Sequence, residues 1–308
     1  AVDAVVFVIL SRSQSDAYPA APSLSQWMGA NPGTIAGTSI VVFGIIGVAS
    51  LYKTVVLSGG GGVVARSLGG VRLSADTTDA AERRLLNVVE EMAIASGVPM
   101  PEVYLLEHES GINAFAAGHN PANAAIGVTR GAITILNRSE LQGVIAHEFS
   151  HVLNGDMRLN VRLMGLIFGL LVIALIARTI LRIAPPGRDR KGAGGAIILA
   201  ALALLIIGYV GLFFGRLIQA AISRRRESLA DASAVQFTRD PTGLRNALVK
   251  IGAAGPGSRI GNPQVDEVAH MLSAPGMKRL FATHPPLLEW LKAIDPHFEP
   301  EEIERARA

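Results

Sequence analysis

His147, Glu148 and His151 lie within Val144-Ile-Ala-His-Glu-Phe-Ser-His-Val-Leu-Asn-Gly-Asp156, and their types and spacing allow metal chemistry. Positions four apart share one face of a helix, so His147 and His151 can direct imidazole nitrogens at a single ion. Glu148 sits one residue on, placed to reach an activated water without being a ligand. This is the HExxH arrangement, two ligands and a general base. The alternative is an amphipathic helix whose histidines face solvent or cap a neighbour. Against it stands the apolar setting of Val144, Ile145, Phe149 and Val152, where two unpaired imidazoles would be costly to bury.

A catalytic metal site of this kind commonly takes a carboxylate as third ligand and leaves the fourth position open. The chain has no cysteine, which excludes thiolate sites, disulfides and cysteine nucleophiles and leaves His, Asp or Glu. Glu227 and Asp231, in Arg224-Arg-Arg-Glu-Ser-Leu-Ala-Asp231, are also four apart. One can bind metal while the other holds a ligand histidine by its second ring nitrogen. Taken alone, the segment reads as a basic cluster beside a membrane with compensating acids. Paired with the two histidines it reads as the rest of a metal site. His108, His119, His270 and His297 have no partner at ligand spacing.

The elements that must position these residues follow from periodicity. A helix is expected from Ser139, whose side chain and Gln142 fit a Ser-x-x-Gln cap, to about Asn154. Another runs from Asp79 to Ser96, with Leu85, Val88, Val89 and Met92 on one face, an Asp79–Glu82 capping box, and Gly97 and Pro99 as its stop. Glu102 to Leu106, Gly111 to Ala117 and Ala124 to Thr129 read as short strands of a small sheet. Gly59 to Gly62 reads as a flexible joint. No repeat of 20 to 50 residues is present.

Composition places all this beside a bilayer. Of 308 residues, 50% are hydrophobic and only 17% charged, and mean hydropathy is +0.38. That is low charge for a soluble domain. Three apolar runs approach the roughly 20 residues a span requires: Gly37 to Leu57, Leu163 to Ala177, and Ala193 to Gly215. Lys53 within the first can snorkel. The turn-forming Pro185 to Lys191 makes a hairpin of the last two. Ala4 to Leu10 is too short to cross alone and reads as the end of a fourth span. The net charge is +3 and the pI near 9.4, but the basic residues flank apolar runs, which favours lipid headgroups over nucleic acid.

Three crossings return residues after 216 to the side that holds His147. On that side Lys53, Arg66, Arg72, Arg158, Arg162, Arg216 and Arg224 to Arg226 lie near span ends, against Arg12, Arg182, Arg188, Arg190 and Lys191 on the other. The bias favours a cytoplasmic location for the large segments. The expected layout is a membrane region 1–57, a first catalytic part 58–160, a transmembrane hairpin 161–222 and a second catalytic part 223–308.

HEFSH followed by NGD, a hydrophobic hairpin, RRRESLADASA and Thr283-His-Pro-Pro286 together resemble the HtpX-type membrane metallopeptidases, relatives of the CAAX prenyl proteases. The resemblance covers about residues 38 to 296. It implies an α+β, gluzincin-like and mainly helical domain with a small sheet, joined to transmembrane helices by a hairpin inserted in the catalytic domain. It further implies one zinc ion held by His147, His151 and Glu227, with Glu148 as base and Asp231 supporting a ligand. Polypeptide substrates, a bacterial inner-membrane location with a cytoplasmic active site, and quality control of membrane proteins are expected with it. Asn113-Ala114-Phe115-Ala116 is similar to the family's strand beside the cleft, where an exposed edge can pair with an extended substrate. His284 either caps the helix that Pro285 and Pro286 introduce or stabilises the oxyanion. A site-2 type of intramembrane protease is disfavoured, because Glu140, Asp156 and Arg158 interrupt any span around the motif. A scaffold with structural zinc would need a fourth protein ligand.

Overall fold

The computed structural model describes residues 23–183, 193–254 and 285–307. The expectations for Ala4 to Leu10, the Pro185 to Lys191 turn, His270 and His284 lie outside these residues. The chain falls into two compact units, one drawn from Ala1–Lys53 and Gly165–Arg216, the other from Thr54–Met164 and Leu217–Ala308.

The first unit is built from long apolar helices. After α1 (Leu24–Ala30), opened by a Ser23–Gln26 capping box, come α2 (Pro32–Leu57), α7 (Asp156–Ile183) and α8 (Ala193–Thr238). Each is long and apolar enough to cross a membrane. Their surfaces carry the large apolar side chains that a water-facing helix would hide: Ile40, Phe43, Val48 and Leu51 on α2 are more than 60% exposed. Lys53 lies 5.2 Å from the centre of the Phe168 ring, a cation–π contact. The helix α8 continues without a break through Arg224 to Asp231. The expected third span and the expected ligand segment are thus parts of one 46-residue helix.

The second unit is a four-stranded sheet with helices on both faces. Its strands are β1 (Val71–Arg72), β2 (Glu102–Leu106), β3 (Ala114–Ala117) and β4 (Ala125–Thr129), ordered β1-β2-β4-β3. β2 and β4 run parallel; the outer pairs are antiparallel. Alternating residues serve two cores. Val103, Leu105, Ala114, Ala116, Ile126 and Val128 join the main core with α4 (Ala80–Ser96), α6 (Arg138–Leu153) and α9 (Pro241–Ala254). Tyr104, Leu106, Phe115, Ala117 and Ala125 face the opposite way, onto Leu57, Val64, Leu68, Val161 and Met164. Burial of both faces explains why these strands read as nearly continuous apolar runs.

The Gly59 to Gly62 joint is a correction. Gly61 begins a short helix, α3 (Gly61–Ser67), pressed against the sheet. A side chain at Gly61 would come within 2.2 Å of the Ala117 carbonyl oxygen and 2.5 Å of the Ala125 nitrogen. The glycine permits a close approach of backbones rather than flexibility. The second expected strand, Gly111 to Ala117, starts later, at Ala114, because the Thr129 hydroxyl occupies the Gly111 and Asn113 carbonyls at 2.6 and 3.0 Å.

Two helix starts also differ in detail. α6 is capped by Asn137 and not by Ser139: Asn137 Oδ1 accepts from the Glu140 amide at 3.0 Å, and Glu140 Oε2 accepts from the Asn137 amide at 2.8 Å. Ser139 instead donates to Asp240 at the start of α9, and Gln142 reaches Glu91 of α4. Both side chains were drawn off by tertiary partners. Asp79 caps α4 through the Ala81 and Glu82 amides, but Glu82 does not complete the box. Its carboxylate takes Thr77 and Arg130. Gly97, left-handed at φ 69°, ends α4 as expected.

The helix α6 is the central beam. It packs on α4, α9 and β3, and Gly143 lets α9 approach so closely that an added carbon would meet the Leu244 nitrogen at 2.4 Å. The buried Glu140 side chain ties it to Lys250 of α9 at 2.7 Å. Arg130, at the start of α5 (Arg130–Ile135), gathers Asp79, Glu82 and Glu107, which joins α4, α5 and the end of β2. The last helices, α10 (Leu287–Ile294) and α11 (Glu301–Arg307), are held to α9 by Arg245, paired with Asp295 at 3.1 Å and Glu302 at 2.6 Å. Pro286 stands at the N-cap of α10 without a side-chain cap bond.

Candidate metal centre

Rigid placement of α6 between core layers puts His147 and Glu148 at 2% exposure each. The helix α8 brings Glu227 to them, also at 2% exposure. Across this junction His147 Nε2 lies 3.2 Å from His151 Nε2 and 3.4 Å from Glu227 Oε2; His151 Nε2 is 3.9 Å from Glu227 Oε1. One donor atom from each residue falls within 4.8 Å of the others. Ligand atoms around a tetrahedral ion with bonds of about 2.0–2.1 Å stand about 3.4 Å apart. The three donors therefore fit a small divalent cation.

The opposite nitrogen of each imidazole is occupied by a carboxylate. His147 Nδ1 donates to Asp231 Oδ1 at 2.9 Å, and His151 Nδ1 donates to Asp156 Oδ2 at 2.9 Å. A carboxylate can only accept, so both protons sit on Nδ1 and both Nε2 lone pairs turn toward the shared point. Asp231 is held by the Trp290 indole, 2.7 Å away, and Asp156 pairs with the Arg226 guanidinium.

The electrostatics follow the same plan. Burial pushes the His147 imidazole pKa down, but hydrogen bonds and charge from Asp231 and Glu227 outweigh it and raise the group well above its ordinary value. His151 is lowered, first by burial and then by the neighbouring His147. An ion held here needs both imidazoles neutral, so it would displace the proton that Asp231 and Glu227 favour on His147. A pocket lined by Ala116, Glu148, His151, Asn160, Arg226 and Glu227 opens at this point. Glu148 thus borders both the donor cluster and the space a substrate could enter.

Of the residues expected from sequence, the structure brings together His147, Glu148, His151, Glu227 and Asp231. Asn113 to Ala116 lead into and form the outer strand of the sheet, yet all four are buried. Their side chains are buried, while the strand they form has one neighbour in the sheet, β4, and of the four residues Ala116 borders the pocket. Two partners escaped sequence reading. Asp156 was visible as the last residue of NGD, but its distance of five from His151 on the far side of a helix end matches no ligand period. Trp290 carried no signal, since an indole at a helix position reads as core.

The family model for peptidase family M48 matches residues 79–297. The protease HtpX homolog of Leuconostoc citreum is 38% identical over 265 residues, covering 83% of this chain and 86% of that protein. The homolog of Thermoanaerobacter pseudethanolicus is 42% identical over 218 residues, covering 68% and 70%. Among solved structures, that of S. mikatae Ste24p matches at a TM-score of 0.49 and 18% identity over 95% of this chain and 66% of that one. Matched over most of its length by the family model and by curated relatives, and carrying three helices apolar enough to span a bilayer, this chain belongs to peptidase family M48 and is a membrane metallopeptidase.

Proposed function

We propose that the chain is a zinc endopeptidase that cleaves unfolded or misfolded membrane proteins at the cytoplasmic face of a bacterial inner membrane. The observation that carries this reading is the convergence of His147 Nε2, His151 Nε2 and a Glu227 oxygen beside Glu148 at the mouth of a pocket. With three protein donors among the described residues, the set matches an open catalytic site better than a closed structural one.

His147, His151 and Glu227 would hold the ion. When bound there, zinc supplies Lewis acidity toward the scissile carbonyl and acidifies the attacking water. Glu148 takes the proton of that water as it adds to the carbonyl carbon and delivers it to the leaving amine. Asp231 and Asp156 keep both imidazoles in the tautomer that presents Nε2, and the apolar wall of Phe149 and Val152 keeps bulk water from the helix face behind them. The same description would serve a peptidase that processes a defined protein, such as a prenyl-protease-like enzyme. A substrate survey separates the two, since quality control requires cleavage at many unrelated sites.

The test is cleavage of casein by the detergent-solubilised chain. Zinc-loaded protein should degrade it, a strong chelator should stop it, and added zinc should restore it. Cleavage that continues in chelator would end the metal reading. Orientation can be tested separately because the chain has no cysteine of its own. A single cysteine in place of the exposed Glu301 should react with a membrane-impermeant maleimide in inverted vesicles and not in intact spheroplasts. Labelling in spheroplasts would place the catalytic part outside.

A further inference from the structure

We propose that Trp290 is a positioning residue of the metal centre, acting through Asp231 to fix the orientation of His147. The inference rests on the metal reading above and concerns a residue that neither the motif nor the donor cluster contains. Trp290 is 4% exposed and sits in the first turns of α10. Its Nε1 hydrogen is donated to Asp231 Oδ2 at 2.7 Å, while the other oxygen of the same carboxylate accepts from His147 Nδ1 at 2.9 Å. The indole ring also lies beside the imidazole, with centroids 5.5 Å apart and planes at 50°.

A carboxylate with one buried donor on each oxygen has a single favourable rotamer. Asp231 is therefore held at both ends, and its grip on Nδ1 sets both the tautomer and the plane of the His147 ring. Take the indole hydrogen away and Oδ2 must find another donor, which a 14% exposed side chain obtains by turning toward water. His147 then loses the fixed direction of its Nε2 lone pair. His151 is supported differently, by Asp156 and the Arg226 guanidinium, and Arg226 adjoins Glu227 on α8. Among the described residues, the His147 branch is the one that runs through Trp290 to the C-terminal helices. Arg245 anchors those helices through Asp295 and Glu302, so the end of the chain is mechanically tied to one metal ligand.

The experiment measures zinc affinity by competition with a chromophoric chelator, using the full chain in detergent. The parent is Trp27→Phe, which leaves Trp290 as the sole tryptophan. Trp290→Phe keeps the ring and removes the donor. Affinity should fall roughly 10-fold, the lower end of the range for groups that hold a metal ligand. Trp290→His, which restores a ring N–H, should regain most of the loss. The loss should vanish when Asp231 is already Asn, because residues acting through one partner are not additive. In the parent, Trp290 emission should change on adding zinc and saturate at one equivalent. Unchanged affinity in Trp290→Phe, or a loss that adds in full to that of Asp231→Asn, would show that Trp290 merely packs α10 and would overturn the proposal. Failure of the parent itself to bind zinc would overturn the metal reading, and this inference with it.

Discussion

Glu148→Gln leaves zinc bound at one equivalent and lowers peptide turnover by at least about 10²–10⁴-fold, the usual worth of a positioned general base. Glu148 is 2% exposed on α6, borders the pocket with His151 and Glu227, and supplies none of the three converging donor atoms. Glutamine has the same shape and hydrogen-bonding reach, so α6 and the ligand geometry are retained. What it lacks is the capacity to accept a proton from water and return it to the leaving amine. Metal content and casein cleavage measured on the same preparation decide the matter. A variant that cleaves as fast as the parent would remove Glu148 from the role of base.

His147→Ala and Glu227→Ala have the opposite signature, with zinc lost together with activity. Each residue contributes one of three donor atoms, and each sits at 2% exposure, where no water readily takes its place. Loss of a ligand also strands what remains. Without His147, Asp231 keeps the Trp290 indole but loses its imidazole, and Glu227 becomes a buried carboxylate beside a single imidazole. Uncompensated buried charge costs about 3–5 kcal/mol when one partner of a pair is removed. The apo variants should therefore also unfold at lower temperature than the metal-free parent. Elemental analysis of the purified proteins checks the first expectation and a thermal melt the second. One equivalent of zinc retained by either variant would mean that the ion sits elsewhere.

These two results separate binding from chemistry, a division the residues show in their positions. The three proposed ligands lie four apart on α6 and across on α8, whereas the proposed base is the neighbour of one of them and lines the pocket. The supporting carboxylates form a further layer. Asp231 and Asp156 touch no donor atom of the cluster except through a histidine, and their donors, Trp290 and Arg226, come from different helices.

How much of this was legible beforehand varied with the range of the interactions. The apolar runs, the helix Ala80–Ser96 with its glycine stop and the short apolar strands between turns were readable, since length, hydropathy and periodicity are local properties. His147, Glu148 and His151 were readable for the same reason: a helix converts a spacing of four into one face. Glu227 could be nominated from chemistry, because a chain without cysteine has few candidates for a third ligand. It could not be located, since the distance between residues 151 and 227 is set by packing and by nothing in either segment.

Tertiary structure decided the rest. It moved the cap of the motif helix from Ser139 to Asn137, because Asp240 and Glu91 recruited Ser139 and Gln142. It turned the Gly59 to Gly62 joint into a contact surface, because two backbones meet at Gly61. It set the strand expected to offer an edge at the outside of the sheet with its side chains buried, and it brought Trp290 to Asp231 across 59 residues of chain. The sequence by itself determined which side chains could do the chemistry and which helices could enter a membrane. Which carboxylate holds which histidine, and which indole holds the carboxylate, depends on directed hydrogen bonds between distant segments, and those have no periodic signature in the chain.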